Sequence, residues 1–327
     1  MTTVDPVPTR SPGFTLGGLA GSPRRNRTER LLKATVAGAA FTSIAISIAI
    51  VAVLVVKGFG FIAEVDLSSL LDPSGWFPRS GRFDLVTIIA GSLWVTLIAL
   101  IFATPVGIGA ALYLSEYASP RARRTLKPIV EVLAGLPSVV VAYFVLQVIF
   151  PSVLQHVFGW INPDEPAGKY TLLGAGLGVG VLSIPIIATV TEDALASVPR
   201  ALREASHGLG ATKMTTTLRV VLPAALSGIT AALIIGASRA LGETMLVTLA
   251  AGGSGGAART LTPAESGLTI TSAMANLAAG TDNVATSGGI GFNPVDSLYF
   301  VGLLLFVFTL GLNLLGNRIV RKYRQAY

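Results

Sequence analysis

Arg239 and Glu243 stand four residues apart in the stretch ASRALGETMLVTLA, a spacing that predicts both side chains on one face of an α-helix. Apolar residues surround them from Pro223 to Ala251, so a guanidinium and a carboxylate are expected about half-way along a segment long enough to cross a bilayer. A lone Arg at that depth costs roughly 2.5–3.5 kcal/mol on insertion scales, so it must face protein or water. Two chemistries suit the pair. It can be a self-neutralising ion pair that eases insertion, or it can be a station on an anion pathway. In the second case Arg239 presents a fork of donors to a tetrahedral oxyanion, and Glu243 holds the guanidinium while the anion is absent. Ser238 and Thr244 add hydroxyl donors nearby, although hydroxyls in membrane helices often bond back to their own helix.

A second constellation is SVPRALREASHGLGATKMTTTLRVVLP, Ser197 to Pro223. Ser197 can cap a helix, Pro199 suits a first turn, and Gly208 and Gly210 end it. Leu202, Ala205 and Leu209 recur at helical spacing and form a narrow apolar face, with Arg203, Glu204 and His207 at its edges. Such a short helix either docks into a partner groove or rests on lipid headgroups. Glu131, Glu192 and Asp193 fall at ends of apolar runs, where they are expected to be solvated or paired with Arg. The run Gly252 to Gly256 is either a hinge or a nest of backbone amides for an anion.

Other chemistries lack the residues they need. There is no cysteine, and the two histidines, His156 and His207, are far apart, which leaves little for metal or nucleophile chemistry. No GxxxxGK[ST] loop is present, so the chain does not supply a nucleotide site. The net charge is +7, but the basic residues form no stripe interleaved with aromatics, which argues against nucleic acid.

The elements that carry these residues are membrane spans. The 327 residues are 52% hydrophobic and 13% charged, with mean hydropathy +0.69, against roughly 25% charged in soluble domains. Six spans are read: Ala34 to Val56, Leu85 to Leu114, Pro128 to Phe150, Leu172 to Val190, Pro223 to Ala251 and Ser297 to Gly316. Residues 1–33 are expected to be a flexible tail, 34–84 a first span with an outer loop, 85–319 the core bundle, and 320–327 a C-terminal tail. Of the 24 Lys and Arg, 18 fall on one side of this arrangement and five on the other, with Arg239 inside a span. That bias puts both termini in the cytoplasm. The alternative is a re-entrant fourth span, which is rich in glycine. The outer segments 57–84 and 252–296 are long enough to meet an external partner. Pro105, Pro137 and Pro185, and the glycines at 174, 176, 178 and 180, predict closely packed helices.

Glu204, Ala205 and Ser206, then Gly210 after three residues and Val220-Val221-Leu222-Pro223 after nine more, resemble the EAA loop of ABC-importer permeases. Ser206 replaces an Ala and Val220 an Ile of that pattern. SRALGETM, LAGLPSVVVAYF (Leu133 to Phe144) and SIPIIATVTEDAL (Ser183 to Leu195) resemble the phosphate-specific (Pst) permeases, the C-type more than the A-type. The resemblance implies an all-α polytopic protein with the type I, MetI-like importer fold. It implies that Leu202, Glu204, Ala205, Ser206, Leu209 and Gly210 form a coupling helix that docks on a separate ATPase. It also implies that Arg239 and Glu243 serve phosphate passage. Ser138 and Thr244 are further candidates for the pathway, and packing at a helix break competes for Ser138. The implied partners are a second Pst-type permease, two ATPase subunits that bind ATP and magnesium, an extracytoplasmic phosphate-binding protein and the lipid of the bacterial inner membrane. The chain itself is expected to bind no cofactor and to catalyse no covalent step. Another oxyanion (sulfate, molybdate or phosphonate), an ion-coupled secondary transporter and a membrane scaffold are the other readings.

Overall fold

A computed structural model describes residues 23–157, 168–253, 256–280 and 295–323. Its contacts divide the chain into two units, 1–53 and 54–327. In the first unit lies most of helix α1, Pro23–Glu64, whose side chains are exposed from residue 28 to residue 50. The helix begins well before Ala34, so the part of the expected tail that is described, 23–33, is helical. Lys33 and Glu29 pair at 2.9 Å on its surface, and the hydroxyls of Thr35, Thr42 and Ser47 donate to carbonyls of their own helix.

The second unit is a helical bundle capped at one end. A hairpin of two short strands, β1 (Trp76–Phe77) and β2 (Arg82–Phe83), turns at Gly81. Then come α2 (Leu85–Leu112), α3 (Pro120–Leu133), α4 (Ser138–Phe144) with a wide-turned continuation Val145–Leu154, and α5 (Leu172–Ala196). Beyond them lie α6 (Arg200–Gly208), α7 (Lys213–Ala224), α8 (Leu226–Gly242), α9 (Met245–Ala250), α10 (Ile270–Ala279) and α11 (Asp296–Tyr323). Among the described residues five helices are long and apolar enough to cross a membrane, or six when α7 and α8 count as one bent span.

The bundle is built on α2 and α5, which approach closely because glycines line the contact. A Cβ on Gly176 would sit 2.8 Å from Cβ of Ile98, one on Gly180 2.9 Å from the Phe102 ring, and one on Gly107 2.8 Å from Ile187. The central core joins Val95 and Ala99 to Val141, Val145, Val179 and Leu246. With 25 residues and 61% of its most apolar window buried, α5 is a full-length central helix, and the re-entrant alternative is set aside.

Two expected spans are interrupted. The segment Pro128 to Phe150 is broken at residues 134–137, where Pro137 disfavours helix in the residue before it. Its first part belongs to α3, which Ser119 caps and which buries no residue in this chain. The span itself runs over Ser138–Val157. The segment Pro223 to Ala251 bends by 68° between α7 and α8, after a π-helical turn at Thr217–Val221 and a proline that removes a helix hydrogen bond. It breaks again at Glu243.

The end cap is an aromatic cluster. Phe61 meets Phe83 edge-on at 5.0 Å and stacks on Phe300 at 5.4 Å, and Trp76 meets Phe83 at 5.8 Å. Leu268 and Ile270 complete it. The described parts of both long outer segments, 57–84 and 256–280, therefore pack into the bundle. Trp76 and Ala257 exchange backbone hydrogen bonds, and the amides of Leu172 and Leu173, orphans at the start of α5, donate to the carbonyls of Glu265 and Pro263. In the glycine run, Ser254 and Gly255 lie outside the described residues. A Cβ on Gly252, Gly253 or Gly256 would clash with Tyr170, Leu268 or Phe77 respectively, so these glycines serve close packing.

Candidate functional site

α8 presents one stripe, Ala232, Gly236 and Ala240, to the core, and Ile235, Arg239 and Gly242 remain exposed on another side. Arg239 is therefore on the surface of this single chain, in the last turn of α8 and not half-way along a continuous span. Among the described residues its guanidinium forms no ion pair and no hydrogen bond. The expected partnership with Glu243 does not occur. Glu243 ends α8 in an extended conformation, φ −68° and ψ 126°, so the two residues do not share a helix face.

The break at Glu243 is held by named bonds. The Glu243 carbonyl accepts from the Thr271 hydroxyl at 2.7 Å, and its carboxylate accepts the Leu246 amide at 3.4 Å, at the start of α9. A membrane helix tolerates such an interruption when the freed backbone groups find partners. Thr244 donates to the Gly242 carbonyl at 3.2 Å. It lines, with Gly242, Thr271 and Met274, a pocket of about 340 Å³. Ser238 donates to the Asn313 side chain at 3.2 Å, linking α8 to α11. Thr271 and Asn313 escaped the sequence reading. An amide in the apolar run of α11 was the available signal for Asn313, whereas nothing local marked Thr271. Ser138 opens α4 after Pro137, and no hydrogen bond joins it to Arg239, Glu243 or Thr244 among the described residues.

At the basic end of the bundle, α6 is the expected short helix, shifted by two residues. Pro199 is its N-cap, while Ser197 closes α5 and donates to the Ala194 carbonyl. Its C-terminus follows the Schellman pattern: the Ala211 amide donates to Ser206, the Gly210 amide to His207, and Gly210 takes φ +79°, a left-handed conformation that glycine alone adopts freely. The apolar face is split. Leu202 packs against the cluster of Ala111, Leu195, Val221 and Ile229, whereas Leu209 is 90% exposed, and Glu204 and Ala205 are exposed beside it. The Ser206 hydroxyl bonds that of Thr216 at 2.9 Å.

Two groups of ion pairs underpin this end. Glu192, buried in α5, accepts from Arg123 at 2.6 Å and lies 3.2 Å from Lys127, both on α3; Asp193 lies 3.9 Å from Lys127. Glu116 accepts from Arg203 at 2.9 Å. Glu131 stays exposed at the rim of a cleft of about 460 Å³ that Arg123, Arg124 and Lys127 also line. These carboxylates are thus paired or solvated, as their positions at span ends suggested.

Known proteins match this architecture. The structure of a bacterial alginate ABC transporter in complex with alginate pentasaccharide-bound periplasmic protein aligns over 93% of this chain and 98% of its own, with TM-score 0.60 and 19% identity. The inward-facing MetNI methionine ABC transporter aligns over 74% of this chain and 96% of its own, with TM-score 0.53 and 21% identity. In sequence, the phosphate transport system permease protein PstC of Haemophilus influenzae is 31% identical over 312 residues, 91% of this chain and 95% of the relative. PstC 1 of Mycobacterium tuberculosis is 35% identical over 257 residues, 75% of this chain and 74% of the relative. The model of the binding-protein-dependent transport system inner membrane component matches residues 103–325, and the chain belongs to that family.

Proposed function

We propose that this chain is the permease subunit of an ATP-driven importer and forms part of the transmembrane pathway for inorganic phosphate. The observation that carries the reading is Arg239, exposed and without an anionic partner among the described residues, in the last turn of the apolar helix α8. Lipid is too costly a neighbour for it, so its face of α8 lines a hydrated path or meets a second permease across that path. A fork of donors is the group that accepts a tetrahedral oxyanion at such a place. Likeness to phosphate permeases over most of the chain supports phosphate over other oxyanions.

The assembly that follows is a heterodimer with a related permease, two ATPase subunits carrying ATP and magnesium, and an extracytoplasmic phosphate-binding protein. Both termini and α6 face the cytoplasm of a bacterial cell. Gly210, Leu209, Glu204, Ala205 and Ser206 present the exposed end of α6 to the ATPase. Transport proceeds by alternating access, with Glu243 shaping the break beside Arg239 instead of neutralising it.

The test is phosphate uptake by the assembled complex in vesicles. Arg239→Gln should lower radiolabelled phosphate uptake at least tenfold, about 1.4 kcal/mol or more, with ATPase recovery unchanged. Intact uptake in this variant would reduce Arg239 to an insertion device. Unlabelled sulfate, molybdate or phosphonate competing as well as phosphate would move the substrate assignment to another oxyanion. Uptake by the chain alone, driven by an ion gradient, would point to a secondary transporter.

A further inference from the structure

Arg203 lies in the first turns of α6 and reaches back to three acceptors. Its Nη1 donates to the Val198 carbonyl at 2.7 Å, and its Nη2 donates to the Leu195 carbonyl at 2.8 Å and to Glu116 Oε1 at 2.9 Å. Leu195 and Val198 bracket the end of α5, where the last carbonyls have no partner inside the helix and favour a cation. Glu116 belongs to the wide turn Tyr113–Tyr117 that closes α2. The Arg203 and Glu116 side chains are 19% and 9% exposed, so the contact is largely shielded from water and salt. One planar side chain therefore joins the ends of α2, α5 and α6.

The join matters because of what lies between α5 and α6. Residues 197–199 are non-helical, and Val198 and Leu202 lean on the same apolar cluster that holds Ala111 and Leu195. Apolar packing of this kind is not directional and permits sliding. A charge-assisted fork with three fixed acceptors does not. Neighbouring charges are engaged elsewhere: Glu192 with Arg123 and Lys127, and Lys213 above the Tyr117 ring at 5.2 Å.

We propose that Arg203, with Glu116 as its counter-ion, is the positioning residue that makes α6 move as one body with the ends of α2 and α5. A push on α6 then tilts the two central helices instead of being absorbed as a swing about residues 197–199. The proposal rests on the permease reading above and adds the element that turns movement of α6 into opening of the pathway.

The experiment uses the full complex in proteoliposomes, with ATP hydrolysis and radiolabelled phosphate uptake read on the same vesicles. Arg203→Met keeps the aliphatic stem and removes the fork, Arg203→Lys keeps the charge, and Glu116→Gln leaves the arginine in place. Expected are unchanged recovery of the ATPase, hydrolysis within about twofold of the parent, and phosphate carried per ATP lowered roughly tenfold in Arg203→Met and about threefold in the other two. An unchanged ratio of uptake to hydrolysis in Arg203→Met and Glu116→Gln overturns the proposal, as does loss of ATPase recovery in all three, which would assign the contact to folding alone. If the parent complex shows no ATP-dependent phosphate uptake, the permease reading falls and this proposal with it.

Discussion

Gly210 separates two effects that a substitution usually mixes. Its φ of +79° disfavours any residue with a Cβ, yet nothing lies within 4 Å of where that Cβ would go. The cost of Gly210→Ala is therefore backbone strain of about 1–2 kcal/mol and not a clash. Asn enters the left-handed region more readily than Ala. ATPase recovery should fall several-fold with Gly210→Ala and stay close to the parent with Gly210→Asn; equal losses would place the fault in side-chain bulk. At Glu243 the carboxylate caps α9 and touches no cation among the described residues. Glu243→Gln retains an acceptor oxygen at that position, so its uptake should exceed that of Arg239→Gln several-fold in the same vesicle assay. The charges at 239 and 243 were legible in the sequence as functional candidates. Their partnership was not, because a four-residue spacing implies a shared face only while the helix continues, and the bond that holds the break open comes from Thr271, distant in the chain.

Helices α2 and α5 illustrate what glycine does in this bundle. Gly176→Ala would push a methyl group onto Ile98, and the expected cost is about 1–3 kcal/mol, seen as a lower unfolding midpoint in detergent. Gly109→Ala, in the same α2 and with no atom within 4 Å of the new Cβ, should raise that midpoint, by about 0.5–1 kcal/mol of helix stability. Close packing was readable from the glycines at 174, 176, 178 and 180. The interruptions of the third and fifth spans were not, since hydropathy records how apolar a segment is and not which way its backbone turns. Pro137 and Pro223 were the local signs, and each stands beside a redirected helix. α3 was likewise merged into a span, because its exposed Ile129, Val132 and Leu133 continue the apolar run that Ser138 begins.

Over the whole bundle, the described outer segments are tied by an ion pair between partly exposed Arg259 and buried Asp84. Arg259 donates to both oxygens of Asp84 at 2.6 and 2.7 Å and to the Leu71 carbonyl, while Asp84 also caps α2 at Val86 and accepts from Thr87. Burial pushes the Asp84 carboxyl up, but the hydrogen bonds from Arg259, Thr87 and Val86 together with the Arg259 charge outweigh it and hold the group below the ordinary carboxylate range. A depressed folded value means that the stabilisation is fully present above the unfolded pKa, about 3.9, and is lost as pH falls through the folded value. The thermal midpoint of the detergent-solubilised protein should therefore drop in that acid window, and Asp84→Asn should flatten the drop while lowering the midpoint at neutral pH. An acid limb identical in the variant would remove Asp84 as its source. Charge counting along the chain anticipated loops alternating between two sides. It did not anticipate that residues 57–84 and 256–269 fold into one cap, which depends on Phe61, Trp76, Phe83 and Phe300 meeting from separate stretches.

The first amides of α5 are bonded to the carbonyls of Glu265 and Pro263, and Arg203 grips the Leu195 carbonyl in its last turn and that of Val198 just beyond. At ~1.5 Å per residue its 25 residues span about 37 Å, more than the ~30 Å hydrocarbon core of a bilayer. One rod therefore has its two tips fastened to opposite faces of the molecule. On the permease reading proposed above, a protein bound at the cap and an ATPase bound at α6 would load the same column.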